Sequence, residues 1–276
     1  MIDEFAFSVV DVPDYPKKPR QKGLTMIADI SIGLGAQHDL IETAGKWFDL
    51  AKIPVGQSRV LPYSVLKSKI ALYAQHDVQA FPGGMLLELA ILEGRENEYL
   101  TALQEIGFNA VEVSDNVIEL SSRKKAEIIR HAAKQGITVL GETGKKYSSS
   151  SPDSMCDDIK NMLEAGAWKV FVEAMEMYDE DGQINEKLVD FVASRIGEEN
   201  IIFELPGPWV AGTPNIQHRM SKWFTKTFGR TVNLANVLPQ EVIRLTCMRL
   251  GIGVEVDLPD GAYQLALNGI LPRTKS

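Results

Sequence analysis

The chain carries 276 residues, 45% of them hydrophobic and 24% charged, with 37 acidic side chains against 29 basic ones and a formal charge of −8. That acid surplus excludes a general nucleic-acid binder, whose affinity comes from clustered Lys and Arg that release phosphate counterions. No run approaches the roughly 20 apolar residues that span a bilayer, and Cys156 and Cys247 are too few and too far apart for a disulfide framework or a cysteine metal site.

Residues 1–22 read as an extended lead-in. MIDEFAFSVVDVPDYP places acids where a secretory signal needs a basic start, so the cytoplasm is the expected location. Short β-rich runs then alternate with longer helical patterns. Strands are expected at LTMIADI (24–30), KWFDLAK (46–52), HDVQAF (76–81), NAVEVS (109–114), ITVLGE (137–142), WKVFVEA (168–174), NIIFELP (200–206) and TVNLAN (231–236). Helical stretches such as 121–136 and 151–166 lie between them, opening on Ser or Pro and closing on Gly. Eight strands and eight helices in strict alternation predict a single-domain α/β chain, a (β/α)8 TIM barrel over 23–276, in preference to an open sheet.

The chemistry of such a barrel sits where its strands end. Those ends carry Asp29, Asp49 with Lys52, Gly83 with Gly84, Glu112 with Ser114 and Asp115, Glu142 with Lys145 and Lys146, Glu173 with Glu176, Glu204, and Asn233 with Asn236. Carboxylates converging from several strands suit a hard divalent ion such as Mg2+, which binds through oxygen and keeps several waters. Strand-terminal acids paired with neighbouring lysines are the structural alternative. His38, His76, His131 and His218 all fall in expected helices or at a helix end, so a zinc cluster is not expected. Lys145 and Lys146 are adjacent like charges, each resisting protonation of the other, and read either as a proton donor and phosphate clamp or as a solvated basic turn. Met175, Met177 and Tyr178 read as an apolar pocket wall or as a loop packed on the rim.

At these residues the chain resembles the phosphosulfolactate synthase family, from about Pro19 to Glu255. The family pattern E-V-G-K-K reads here Glu142-Thr143-Gly144-Lys145-Lys146, and G-G-T-L-F-E reads Gly83-Gly84-Met85-Leu86-Leu87-Glu88. V-E-I-S-D-G is similar to Val111-Glu112-Val113-Ser114-Asp115-Asn116, and V-N-L-A-N matches Val232-Asn233-Leu234-Ala235-Asn236. The resemblance implies Mg2+-dependent addition of sulfite to phosphoenolpyruvate through an enediolate. It implies a metal among Asp29, Glu112, Glu142 and Glu173, with Lys146 as the acid that protonates C2, assisted by Lys145 and Glu142. Substrate contacts are implied at Lys52, Ser58, Gly84, Ser114, Asp115, Glu176 and Asn233. A small anionic substrate, no nucleic-acid or membrane partner and a homo-oligomeric state are expected.

Three cations of the family pattern are replaced, by Ile30, Met175 and Gly253. Methionine cannot reproduce the bidentate fork that arginine offers to phosphate or sulfonate. The expected activity is therefore a carbon-sulfur lyase of this type acting on sulfite or a related nucleophile, with phosphoenolpyruvate or a similar enoate. The alternatives are a non-catalytic or stress-associated relative whose anion site has decayed, and a different Mg2+-dependent barrel enzyme of the enolate type.

Overall fold

The computed structural model describes residues 5–144, 150–179 and 183–270. Eight strands, β1 (Thr25–Ala28), β2 (Leu50–Ile53), β3 (Gln79–Pro82), β4 (Ala110–Val113), β5 (Thr138–Thr143), β6 (Lys169–Val172), β7 (Ile201–Glu204) and β8 (Leu234–Val237), form one parallel sheet in the order β3-β2-β1-β8-β7-β6-β5-β4. The β1–β8 pairing wraps the chain's ends together, making a nearly closed barrel and confirming the single-domain (β/α)8 expectation. At the seam between β3 and β4, Gln79 Nε2 donates to Asn109 O at 3.4 Å and Thr138 Oγ1 at 2.9 Å in place of a ladder.

The helices are α1 (Leu34–Ala44), α2 (Gln57–Val60), α3 (Tyr63–Gln75), α4 (Met85–Leu92), α5 (Glu96–Ile106), α6 (Ser122–Lys134), α7 (Pro152–Ala165), α8 (Ala174–Met177), α9 (Glu186–Ile196), α10 (Thr213–Phe228), α11 (Val242–Leu250) and α12 (Ala262–Leu267). Local chemistry sets several ends. Ser121 and Ser151 cap α6 and α7, each side chain accepting from the backbone N–H three residues on, and Pro152 opens α7 where its missing N–H costs nothing. Among the described residues no helix is long and apolar enough to cross a membrane.

Strand period two separates two cores. Met26, Leu50, Phe81, Ala110, Leu140, Phe171, Ile202 and Ala235 point inward and fill the barrel, with Phe81 and Phe171 stacked at 6.0 Å. Their neighbours Ile27, Ala51, Ala80, Val111, Val139, Val170 and Phe203 point outward and pack under the helices. The apolar inner layer is the floor on which the polar mouth stands.

The lead-in crosses the opposite, N-terminal end of the barrel. Arg20 pairs with Asp49 at 3.0 Å, and Arg249 donates to Thr25 Oγ1 and Val232 O, both at 2.8 Å. Lys18 Nζ donates to Gly45 O, His76 O and Asp77 O, carbonyls at the ends of α1 and α3. Burial is the main force pulling the Lys18 pKa down, to about 8, with Asp49 opposing it and Arg20 adding to it. The unfolded chain keeps this proton up to its ordinary value of 10.5, so folding gains stability as pH rises from 8 toward 10.5. Urea denaturation of wild type and Lys18→Met across that window is expected to diverge by on the order of 1 kcal/mol in favour of wild type at the alkaline end. Parallel pH profiles would show that Lys18 does not titrate there.

Candidate active site

On five of the eight strands the position two residues beyond the floor side chain, the next inward one, turns polar. Leu50 is followed by Lys52, Ala110 by Glu112, Leu140 by Glu142, Phe171 by Glu173 and Ile202 by Glu204, and all five are buried. Oxygens of Glu112, Glu142 and Glu204 lie within 4.8 Å of one another. Lys52 Nζ sits among them, 2.8 Å from Glu112 Oε1 and 3.2 Å from Glu204 Oε1, and 5.5 Å above the Phe171 ring. Burial pulls the Lys52 ammonium down, but Glu112, Glu204 and Glu142 together outweigh it and hold its pKa well above the ordinary lysine value. Burial pushes Glu112 well above the carboxylate range, and repulsion from Glu142 and Glu204 adds to this against the pull of Lys52.

Neutral donors hold the cluster from outside. Gly84 N donates to Glu112 Oε2 at 3.2 Å, and Asn116 Nδ2 to Glu142 Oε2 at 2.8 Å. A side chain at residue 84 would collide with Ser114 Oγ and stand 3.2 Å from Glu112 Cγ, so this approach requires glycine. The loop carrying Asn116 is fastened by Glu88 of α4, whose carboxylate accepts from Ser114 Oγ and from the backbone N–H of Asn116, Val117 and Ile118.

Above the layer opens a cleft of about 270 Å3. Lys52, Glu112, Glu173 and Glu204 line its base, and Val55, Met85, Met175, Tyr178, Trp209 and Val210 its walls. Met175 is 48% and Trp209 54% exposed, and Tyr178 Oη donates to Met175 Sδ at 3.3 Å. Among the described residues that line the cleft, Lys52 is the one cation. Among the described residues, three hard carboxylate donors and one ammonium leave two net negative charges when all are ionised, a donor set that fits a divalent ion of the Mg2+ type.

The expected site residues divide between the mouth and other places. Lys52, Gly84, Glu112 and Glu173 line the cleft, and Glu142 joins the acid cluster. Glu173 Oε1 caps the short α8 by accepting from Met175 N at 3.3 Å, and Glu176 accepts from Ser150 N at 3.0 Å. Asp29 lies elsewhere: it faces α3, where Lys69 Nζ and Tyr73 Oη both reach its Oδ2 at 2.8 Å. Asp115 turns toward α6 and pairs with Lys125, which also binds Asp158. Burial lowers the Lys125 pKa, but Asp158 and Asp115 outweigh it and leave it above the ordinary value. Ser114 serves Glu88, and Ser58 on α2 does not line the cleft. Asn233 precedes β8 at the opposite end of the barrel, its Oδ1 accepting from Leu24 N at 3.0 Å and its Nδ2 donating to Ile201 O at 2.9 Å. Lys145 and Lys146 lie outside the described residues. Glu204, expected among the strand-end acids but not in the implied metal set, joins the acid cluster, and Asn116, the donor to Glu142, is a contributor absent from the expected site residues.

A family model described as (2R)-phospho-3-sulfolactate synthase (ComA) matches residues 13–255. The phosphosulfolactate synthase of Methanocaldococcus jannaschii is 32% identical over 242 residues, covering 84% of this chain and 92% of that protein. Its namesake from Methanothermobacter thermautotrophicus is 31% identical over 250 residues, covering 87% and 93%. Among solved structures, the YdjI aldolase of Escherichia coli K12 covers 91% of this chain and 90% of its own with a TM-score of 0.53 at 11% identity, a likeness of fold alone.

Proposed function

The chain belongs to the (2R)-phospho-3-sulfolactate synthase family, and on that premise we propose that its barrel mouth is a carbon-sulfur lyase site joining sulfite, or a related sulfur nucleophile, to the methylene carbon of phosphoenolpyruvate or a similar enoate. The observation that carries this reading is the convergence of Glu112, Glu142 and Glu204 with Lys52 at the base of a partly apolar cleft.

In the proposed reaction the sulfur lone pair forms the C–S bond at C3. The alkene electrons move into the carboxylate, and C2 of the resulting enediolate takes a proton. A Mg2+ ion held by Glu112, Glu142 and Glu204 would supply neutralising charge for the substrate carboxylate. Lys146, which matches the second lysine of the family motif, is the proposed donor to C2, and Lys145 an anion-binding neighbour. Lys52 offers its ammonium to an anionic substrate oxygen. The Met175, Tyr178 and Trp209 walls limit water around the reacting carbons and favour a nucleophile carrying less charge than a dianion.

The test follows loss of the enol phosphate in the presence of Mg2+ with sulfite, hydrosulfide or a small thiol. Mg2+ is expected to raise the melting temperature of wild type but not of Glu142→Ala. Lys146→Ala is expected to keep the Mg2+ response and lose at least about 100-fold in turnover. A folded protein that consumes phosphoenolpyruvate with none of these nucleophiles would rule out that electrophile, and full turnover in Lys146→Ala would remove Lys146 as the donor.

A further inference from the structure

We infer that Lys52 and a divalent ion compete for the acid cluster, and that the ion displaces the Lys52 ammonium into the cleft, where it binds an anionic oxygen of the substrate. This rests on reading Glu112, Glu142 and Glu204 as metal ligands.

Lys52 Nζ occupies the same ground as the candidate ion. Its two partners, Glu112 Oε1 at 2.8 Å and Glu204 Oε1 at 3.2 Å, belong to two of the three residues whose oxygens lie within 4.8 Å of one another. A magnesium ion needs its oxygens at about 2.0–2.1 Å. An ammonium hydrogen-bonded to the same carboxylates in a buried layer would repel it with little solvent screening. Downward retreat is blocked, because the Phe171 ring of the packed floor lies 5.5 Å below the nitrogen. The open direction is the cleft, which Lys52 already lines.

Two carboxylates of the cradle have donors other than the lysine. Glu112 Oε2 keeps Gly84 N, and Glu142 Oε2 keeps Asn116 Nδ2. Glu112 and Glu142 can therefore hold their places while the long, unbranched lysine stem swings. Two consequences follow. Lys52 weakens metal binding in the absence of substrate, and an anion that captures the displaced ammonium strengthens it. By thermodynamic reciprocity, the metal must strengthen anion binding by the same factor.

The experiment is calorimetric titration of Mg2+ into wild type and Lys52→Met, each with and without inorganic sulfate as a probe anion. Lys52→Met is expected to bind Mg2+ at least about tenfold more tightly than wild type. Sulfate is expected to tighten Mg2+ binding about fivefold or more in wild type and not in Lys52→Met. Should Lys52→Met fail to fold alone, recovery of its near-ultraviolet circular dichroism on adding Mg2+ supports the exchange, and no recovery overturns it. A folded Lys52→Met that binds Mg2+ no more tightly than wild type overturns the inference while leaving the metal site standing. If both proteins fold and neither binds Mg2+, the metal reading itself fails and the inference falls with it.

Discussion

Asp29→Ala is expected to destabilise the protein by about 3–5 kcal/mol while leaving its Mg2+ response in place. Asp29 and Lys69 are each 1% exposed, and their ion pair joins the end of β1 to α3. The same Asp29 oxygen accepts from Tyr73 Oη at 2.8 Å. Burial first, then the Asp29 charge, raises the Tyr73 pKa, so the phenol remains a hydrogen-bond donor throughout the usual pH range. Truncating the carboxylate leaves the Lys69 ammonium in a dry site with Ile32 O, at 2.6 Å, as its remaining acceptor among the described residues. That loss outweighs any gain from removing one buried anion, because an uncompensated internal charge is the costlier state. Urea denaturation measures the first part of the expectation, and the Mg2+-induced change in melting temperature the second. Normal stability combined with loss of the Mg2+ response would make Asp29 a ligand instead of a clamp.

Strand parity explains why this aspartate and the mouth glutamates, similar in the sequence, part company in space. Met26 faces inward, so Asp29, three residues on, faces the helices, whereas Glu112, Glu142, Glu173 and Glu204 each stand two residues beyond an inward side chain. The alternation of elements was legible because each strand and helix has its own hydrophobic period. Parity could also have separated Asp115, five residues beyond inward Ala110, from the mouth. It could not have resolved Asn233, which shares parity with inward Ala235 but lies at the other end of the barrel. There the expected strand at 231–236 begins three residues before the observed β8, because the Asn233 side chain makes hydrogen bonds that an extended reading assigns to the ladder. β8 then breaks register with β1 beside Asn236, whose φ of 57° turns it to line the cleft. Asn116 was hidden for another reason. Its placement depends on a carboxylate 28 residues earlier in the chain, a relation no local pattern carries.

That dependence on Glu88 sets the second large effect. Glu88→Ala is expected to cost about 3–5 kcal/mol and to weaken Mg2+ binding by about 10–100-fold. Glu88 is 2% exposed and receives Asn116 N at 2.9 Å, Val117 N at 2.8 Å and Ile118 N at 3.1 Å, besides the Ser114 hydroxyl. Removing it leaves three backbone donors without this acceptor, each worth about 1–3 kcal/mol when buried and unsatisfied. The loop can recover part of that cost only by opening to water, which draws Asn116 Nδ2 away from Glu142 and loosens one of the three carboxylates of the cluster. Glu88→Gln is expected to fall between the two, since an amide oxygen can keep one pair of donors while its NH2 faces the other pair. Amide hydrogen exchange at Asn116, Val117 and Ile118 should report the opening directly, with protection lost in Glu88→Ala and partly kept in Glu88→Gln. Unchanged protection and Mg2+ affinity in Glu88→Ala would mean that the loop is held by its remaining contacts and that Glu88 does not act through Asn116 on the acid cluster.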